Sequence, residues 1–233
     1  MRLGPARMTL SLPAKPPGTV AALVRQRLRE ISRSPKELAE ALEVPAHYID
    51  DLIAGCRRPP HPGRTDIYAK MTSFLRLGRN VIVACARAER ADGAPATAAG
   101  PRADVRCLLL ALCEPGTART LEQRRARRGG AELAGLMQRV LDVAQGSVRR
   151  VLDDQIGLRL AAAERGSNYL AMRFKVLEFL DATADTLTAE DLSEFLQPRV
   201  SRWDVDLETG VVRVVLRAQW PRERAPRPVA TED

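Results

Sequence analysis

Aromatic residues are scarce, at 4% of the 233 positions. Leu, Val, Ile and Ala must therefore build the core, and these are the usual material of packed helices rather than of sheets. Histidine is scarcer still. His47 and His61 are the two present, neither accompanies a Ser or Cys nucleophile motif, and the chain has no phosphate loop, dinucleotide fingerprint or metal-ligand spacing. An enzyme is accordingly not expected, nor a cofactor or a metal site. The four cysteines, Cys56, Cys85, Cys107 and Cys113, include no C-x-x-C pair and no histidine at ligand spacing, so neither zinc nor a disulfide framework is indicated. Reduced thiols in a cytoplasmic protein are expected. No apolar run approaches the roughly 18 residues that span a bilayer, and prolines interrupt MRLGPARMTLSLPAKPPG too often for a signal peptide. No membrane partner is expected.

What the chain has in excess is arginine. Lys15, Lys36, Lys70 and Lys175 are the four lysines among 37 basic residues, and the formal net charge is +8. That balance permits a polyanionic partner, because clustered cations release counterions from phosphates. The hydrophobic content of 45% suffices for one large or two small domains. Residues 1–18, with four prolines and no helical period, read as a flexible arm, the kind of segment that can lie in a minor groove. From Thr19 the pattern changes. Val20, Leu23, Val24, Leu28 and Ile31 recur at helical spacing, with Arg25, Arg27 and Arg29 off the apolar stripe. Ser34, Pro35 and Glu37 form a capping-box start for a short helix through Leu38, Ala39 and Leu42. That helix breaks near Val44-Pro45. A second short helix carries Tyr48, Ile49, Leu52 and Ile53 and ends at Gly55. Pro59, Pro60 and Pro62 force an extended connection, a fourth helix buries Ile67, Tyr68, Met71, Phe74 and Leu75, and Val81 to Arg90 suits a fifth.

The run S-P-K-E-L-A-E-A-L-E-V, then Y-I-x-x-L, then G-C-R-R-P resembles the helix-turn-helix domain of the phage repressor and Cro family, also called XRE-type, over about residues 19–78. The resemblance implies that Ala39 is the small residue where two helices touch, that Val44 plugs the corner, and that Ile49 and Leu52 anchor the second helix. It implies double-stranded DNA as the partner. The DNA-facing candidates it carries over are Lys36 at the entry of the first motif helix, Ala46, His47 and Asp50 near the start of the recognition helix, and Arg57 and Arg58 just beyond it. Two departures accompany it. Relatives place polar or basic groups where this chain has Asp50 and Asp51, and an acid where it has Ile53.

Residues 91–104, ADGAPATAAGPRAD, read as a linker. A second helical domain is expected over 105–200. R-C-L-L-L-A-L-C reads as a buried helix stopped by Pro115-Gly116, and TARTLEQRRARR brings Arg119, Arg124, Arg125, Arg127 and Arg128 together at one helix C-terminus. The stretch at about 131–154 leaves two readings open: a plain helical segment, or a degenerate second helix-turn-helix. Under the latter, E-L-A and Leu-acid-Val recur, the first helix is about one turn longer, Tyr169-x-x-Met172 echoes Tyr68-x-x-Met71, and Arg149 and Arg150 occupy the places of Asp50 and Asp51, with Ser147 beside them. Helices continue from Asn168 to Ala182 and from Thr188 to Pro198. Residues 201–220 alternate about a turn at Glu208-Thr209-Gly210 and read as a β-hairpin that could be a DNA-contacting wing, a dimer edge or a cover for the helical core, with packing or dimerisation favoured. Residues 221–233 read as a disordered tail.

The expectation is a mainly α protein: a helix-turn-helix domain over 19–90, then a second helical domain with a C-terminal β-hairpin. Two functions stay open. One is a dimeric, repressor-type transcriptional regulator that reads double-stranded DNA in the major groove. The other is an adaptor or antirepressor whose acidic helix-turn-helix face binds another regulator.

Overall fold

The computed structural model describes residues 18–92 and 101–217. The arm before Gly18, most of the expected linker and the tail lie outside the described residues. The chain divides into two compact units, residues 1–62 with 67–94, and residues 63–66 with 95–233.

Unit 1 holds five helices: α1 (Val20–Glu30), α2 (Pro35–Leu42), α3 (Ala46–Ala54), α4 (Ile67–Phe74) and α5 (Val81–Asp92). Each begins or ends where local chemistry dictates. Thr19 caps α1 by accepting from the Ala22 N–H at 3.2 Å. In α2 Pro35 sits in the first turn, Ser34 Oγ accepts from Glu37 N–H at 3.2 Å, and the Glu37 carboxylate accepts from Ser34 N–H at 2.8 Å. That reciprocal box satisfies two N–H groups the helix would otherwise leave open. The core is aliphatic: Val20, Leu23, Val24 and Leu28 of α1 are buried with Leu38, Leu42, Ile49, Leu52, Ile67, Met71, Leu75 and Ile82. Phe74 is half-buried rather than a core residue. Side chains tie the ends together. Arg27 donates to the carbonyls of Leu75 (2.8 Å) and Arg76 (3.2 Å) after α4, and Glu89 of α5 accepts from the Val20 N–H at 2.7 Å.

Unit 2 contains α6 (Ala103–Ala111), α7 (Pro115–Arg128), α8 (Ala131–Asp153), α9 (Gln155–Glu164), α10 (Tyr169–Asp181) and the short α11 (Ala189–Asp191), which runs into a π-helical turn over Leu192–Leu196. An antiparallel hairpin, β1 (Val200–Val205) and β2 (Val212–Leu216), follows, with a register shift between Val200 and Arg202. Helix α8 is the spine. Leu133, Met137, Val140, Leu141, Ala144, Val148 and Leu152 form its buried stripe, at the three- and four-residue steps that keep one face inward over six turns. Gln145 on that stripe is also fully buried, and its polar atoms are all used. Its amide donates to the carbonyls of Phe179 (2.7 Å) and Ala182 (2.8 Å), and its carbonyl accepts from Arg64. Arg64 also meets Asp142, and Arg173, 1% exposed, donates from Nη2 to both carboxylate oxygens of Asp66 at 2.8 and 2.9 Å. Residues 63–66 are thus held in unit 2 by two charged anchors.

The stretch at 131–154 is one uninterrupted helix, which corrects the reading of a second helix-turn-helix. A corner needs a residue that leaves the helical region and a block to its resumption. Asp142-Val143-Ala144 has neither a proline nor a positive φ, and Val143 is 41% exposed where a corner plug would be buried. Other departures are smaller. Pro115 opens α7 as well as ending α6, and α6 buries only Val105, Leu109 and Leu110, leaving Cys107 exposed. Helix α9 falls where no helix is expected, capped by Asp154, whose side chain accepts from Gly157 N–H at 2.9 Å.

The hairpin is seated by Trp203. The ring is fully buried, its Nε1–H donates to the Leu109 carbonyl at 2.7 Å, its backbone N–H donates to Leu112 C=O and its C=O accepts from Glu114 N–H, both at 2.9 Å. The hairpin turn is closed by the Asp206 carboxylate, which accepts from the N–H groups of Glu208 and Thr209, and by Gly210 at φ +70. Among the described residues no helix is long and apolar enough to cross a membrane.

Two outcomes follow. Trp203→Ala removes a large packed ring and a buried hydrogen bond, so urea denaturation shows unit 2 destabilised by about 3–5 kcal/mol. The capping box brings a pH dependence. Ser34 N–H, the Arg33 guanidinium and the Ser34 hydroxyl together lower the Glu37 carboxyl from its ordinary 4.5 to about 2. A depressed carboxylate contributes stability that is complete above its unfolded value and lost as pH falls through the folded one. Unit 1 therefore loses this contribution between about pH 4.5 and 2. Glu37→Gln flattens that part of the unfolding profile, measured by circular dichroism.

Candidate nucleic-acid interface

The interface is built on the corner between α2 and α3. Helix α2 ends because Glu43 turns left-handed, at φ 55 and ψ 49, with its N–H on the carbonyls of Ala39 and Glu40. Val44 N–H then donates to Ala39 C=O at 3.0 Å and the Val44 side chain is 3% exposed, filling the corner. Pro45 has no N–H to continue a helix and opens α3 instead. Ala39, 2% exposed, is the small residue between the two helices. On α3, Tyr48, Ile49 and Leu52 are buried. Ala46, His47, Asp50 and Ala54 are exposed, and their spacing of one, three and four residues puts them on one side of the helix.

Helix α3 is pinned at its C-terminal end. At its C-terminus Gly55 takes φ +77, a conformation that costs a side-chain-bearing residue more, and Arg25 of α1 donates to the Ile53 carbonyl at 2.5 Å. Beyond it the chain is fixed by Tyr68 OH on Pro60 C=O and Arg90 on Pro59 C=O, both at 2.5 Å. Arg57 lies with its guanidinium carbon 4.9 Å from the Tyr48 ring centre, a cation–π contact that holds it beside α3. Arg58 is exposed, and so is Lys36 in the first turn of α2.

Lys36, Ala46, His47, Asp50, Arg57 and Arg58 all lie in unit 1, the first at the start of α2, the next three on the exposed side of α3 and the two arginines just past its end. The acids divide by environment. Glu37 is engaged by Arg33, and Glu43 by Lys70 at 2.6 Å. Among the described residues no ion pair engages Asp50 or Asp51, of which the first is exposed and the second half-exposed. Arg149 and Arg150 belong to unit 2. They are exposed on α8, and the neighbouring Ser147 hydroxyl bonds back to the Ala144 carbonyl at 2.7 Å within the same helix. On α7, Arg119 and Arg127 are exposed, while Arg124 meets Glu132 at 3.3 Å.

Sequence reasoning missed the residues that hold the corner in place. Arg25 was visible only as a cation off the α1 stripe, and nothing local announced that its partner is a carbonyl on α3. Lys70 likewise lies far along the chain from Glu43. All four cysteines are free thiols. Burial beside Asp204 pushes the Cys113 thiol up to about 12, leaving it without nucleophilic character. Among the described residues no group of three or more His, Cys, Asp or Glu side chains is placed to hold a metal ion.

The division of α3 into an anchored and an open face can be measured. Ile49→Ala empties a fully buried site and lowers the stability of unit 1 by about 2–5 kcal/mol, whereas Asp50→Ala, on the exposed face, leaves the denaturation midpoint within error of the parent. No protein-family model, curated protein or solved structure matches the chain.

Proposed function

We propose that unit 1 is a sequence-specific DNA-binding module of a transcriptional regulator, with α3 entering the major groove. The observation that carries this reading is the open stripe Ala46, His47, Asp50 and Ala54 on a helix whose opposite face is core. A rigid helix with a short polar and small-residue face is what base-edge readout requires. The roles follow from the chemistry of each group. Ala46 offers a methyl to thymine, His47 offers a ring donor or acceptor, and Asp50 accepts from the amino group of cytosine. Lys36, Arg57 and Arg58 contact phosphates and set the register without reading sequence. Asp51 has no base to reach and weakens the approach to phosphate.

A second reading is supported by the same two aspartates. With neither carboxylate ion-paired among the described residues, α3 also suits an adaptor or antirepressor that docks on the basic surface of another regulator.

Selection from a random duplex library followed by titration at several salt concentrations separates the two. Under the DNA reading, affinity falls with salt, and Arg57→Ala or Arg58→Ala weakens all duplexes alike and lowers the salt slope by about 1 each. Asp50→Ala instead costs about 1–3 kcal/mol of discrimination at one C·G position and leaves the slope alone. No enrichment, or binding indifferent to salt, overturns the DNA reading. Capture of a basic regulator that Asp50→Arg with Asp51→Arg abolishes establishes the second.

A further inference from the structure

In the two-stranded sheet of unit 2 one edge is closed by backbone hydrogen bonds and the other, among the described residues, is not. Strand β1 is used along both edges, by β2 and by the Leu112–Glu114 segment, which takes the N–H and C=O of Trp203 at 2.9 Å each. Those two groups point away from β2, so the Trp203–Val214 pair of the ladder is of the non-hydrogen-bonded kind. Two further contacts agree with this. Val211 accepts from Asp206 N–H at 3.0 Å and Arg217 donates to Arg199 C=O at 2.7 Å, both toward the β1 side. Odd-numbered residues of β2 therefore face β1, and the N–H and C=O groups of Val212, Val214 and Leu216 face outward. Among the described residues no backbone group from outside the hairpin meets those three. Val211 and Val215, on the solvent face of the sheet, are 52% and 50% exposed and Leu216 at its end is 44% exposed, while Val212 and Val214 are half-buried.

We propose that the outer edge of β2 pairs with the same edge of a second copy of this chain. The pairing is antiparallel across a twofold axis at Val214 and makes one four-stranded sheet from two hairpins. An open ladder of backbone groups is a template for another strand, and a twofold contact must be self-complementary. The positions of Arg213 and Arg217 select the axis. Centred on Val214, the register sets Val214 against its own mate, Val212 against Leu216, Arg213 against Val215, and Val211 against Arg217, so no arginine faces another. Moving the axis to Arg213 sets that arginine against itself. Moving it to Val215 sets Arg213 against Arg217. Like charges directly opposite destabilise a sheet. The Val214 register also brings all three outward-facing residues into hydrogen-bonding positions. This inference does not rest on DNA contact, since every residue it uses lies in unit 2.

The test is the mass of the full-length chain by light scattering, with no DNA present. The expected mass is twice 25.6 kDa, and Val214→Pro, which deletes the central outward N–H, halves it while the helical circular dichroism persists. A cross-link reads the register independently of that variant's folding. With the exposed Cys56 and Cys107 changed to serine, Val214→Cys forms a disulfide dimer under mild oxidation. Val211→Cys, six residues from its own mate in this register, does not. Paired strands at the axis place the two Cα atoms about 5.5 Å apart, within disulfide reach. A monomeric parent overturns the proposal, as does a folded Val214→Pro protein that stays dimeric. Should Val214→Pro unfold, failure of Val214→Cys to cross-link overturns it.

Discussion

Unit 1 depends on one backbone conformation, the left-handed turn at Glu43. For a residue with a side chain this region costs about 1–2 kcal/mol relative to the right-handed helix, so something must hold it there. Three things do. Pro45 cannot donate to a continuing helix and disfavours helical geometry at the residue before it. Val44, once turned, is buried in the corner and its N–H reaches Ala39. The Glu43 carboxylate is engaged by Lys70 from α4 at 2.6 Å, with both side chains partly buried. Without the turn, α2 would run into α3 as one rod, and Ile49 and Leu52 would leave the core they now fill.

The same comparison explains why the stretch at about 131–154 left two readings open, of which the plain helix holds. The stretch from Glu132 to Val148 repeats the order of residue types found from Glu37 to Ile49, and composition alone makes the two look alike. Composition decides which face is apolar. It does not decide where a helix stops. At Val44 the stop is written by proline and by a left-handed neighbour, and at Val143 neither is present, so the helical hydrogen bonds continue through α8. The exposed Val143 and the buried Gln145 mark how far the stripe of α8 lies from the one a corner would need.

Local signals were otherwise legible. The Ser34 and Thr188 capping boxes, the Gly55 stop, the apolar stripes of α1, α3 and α10 and the turn of the hairpin could all be found within a few residues of sequence, because each is settled by contacts that short. What could not be found depends on partners far along the chain. Gln145 looks like a helix-surface residue until Arg64, Phe179 and Ala182 surround it. Trp203 alternates like any strand residue, yet its seat is the end of α6, reached through the Leu109 carbonyl. Helix α9 had a usable cap in Asp154, but its glycine, its short length and its two exposed apolar residues, Ile156 and Leu160, blur the helical period.

The arginine excess also divides once contacts are known. Arg25, Arg27, Arg90 and Arg199 donate to backbone carbonyls, and Arg173 holds Asp66. A forked, permanently charged group suits this work better than lysine does. Such residues keep their charge but are committed to architecture, so a net charge of +8 overstates what a polyanion can grip. Around α3 the candidates reduce to Lys36, Arg57 and Arg58, set against Asp50 and Asp51. A module with so few cations has a shallow electrostatic contribution per copy. If both proposals hold, two copies joined through β2 would make the second binding event intramolecular and raise avidity without adding a single basic residue.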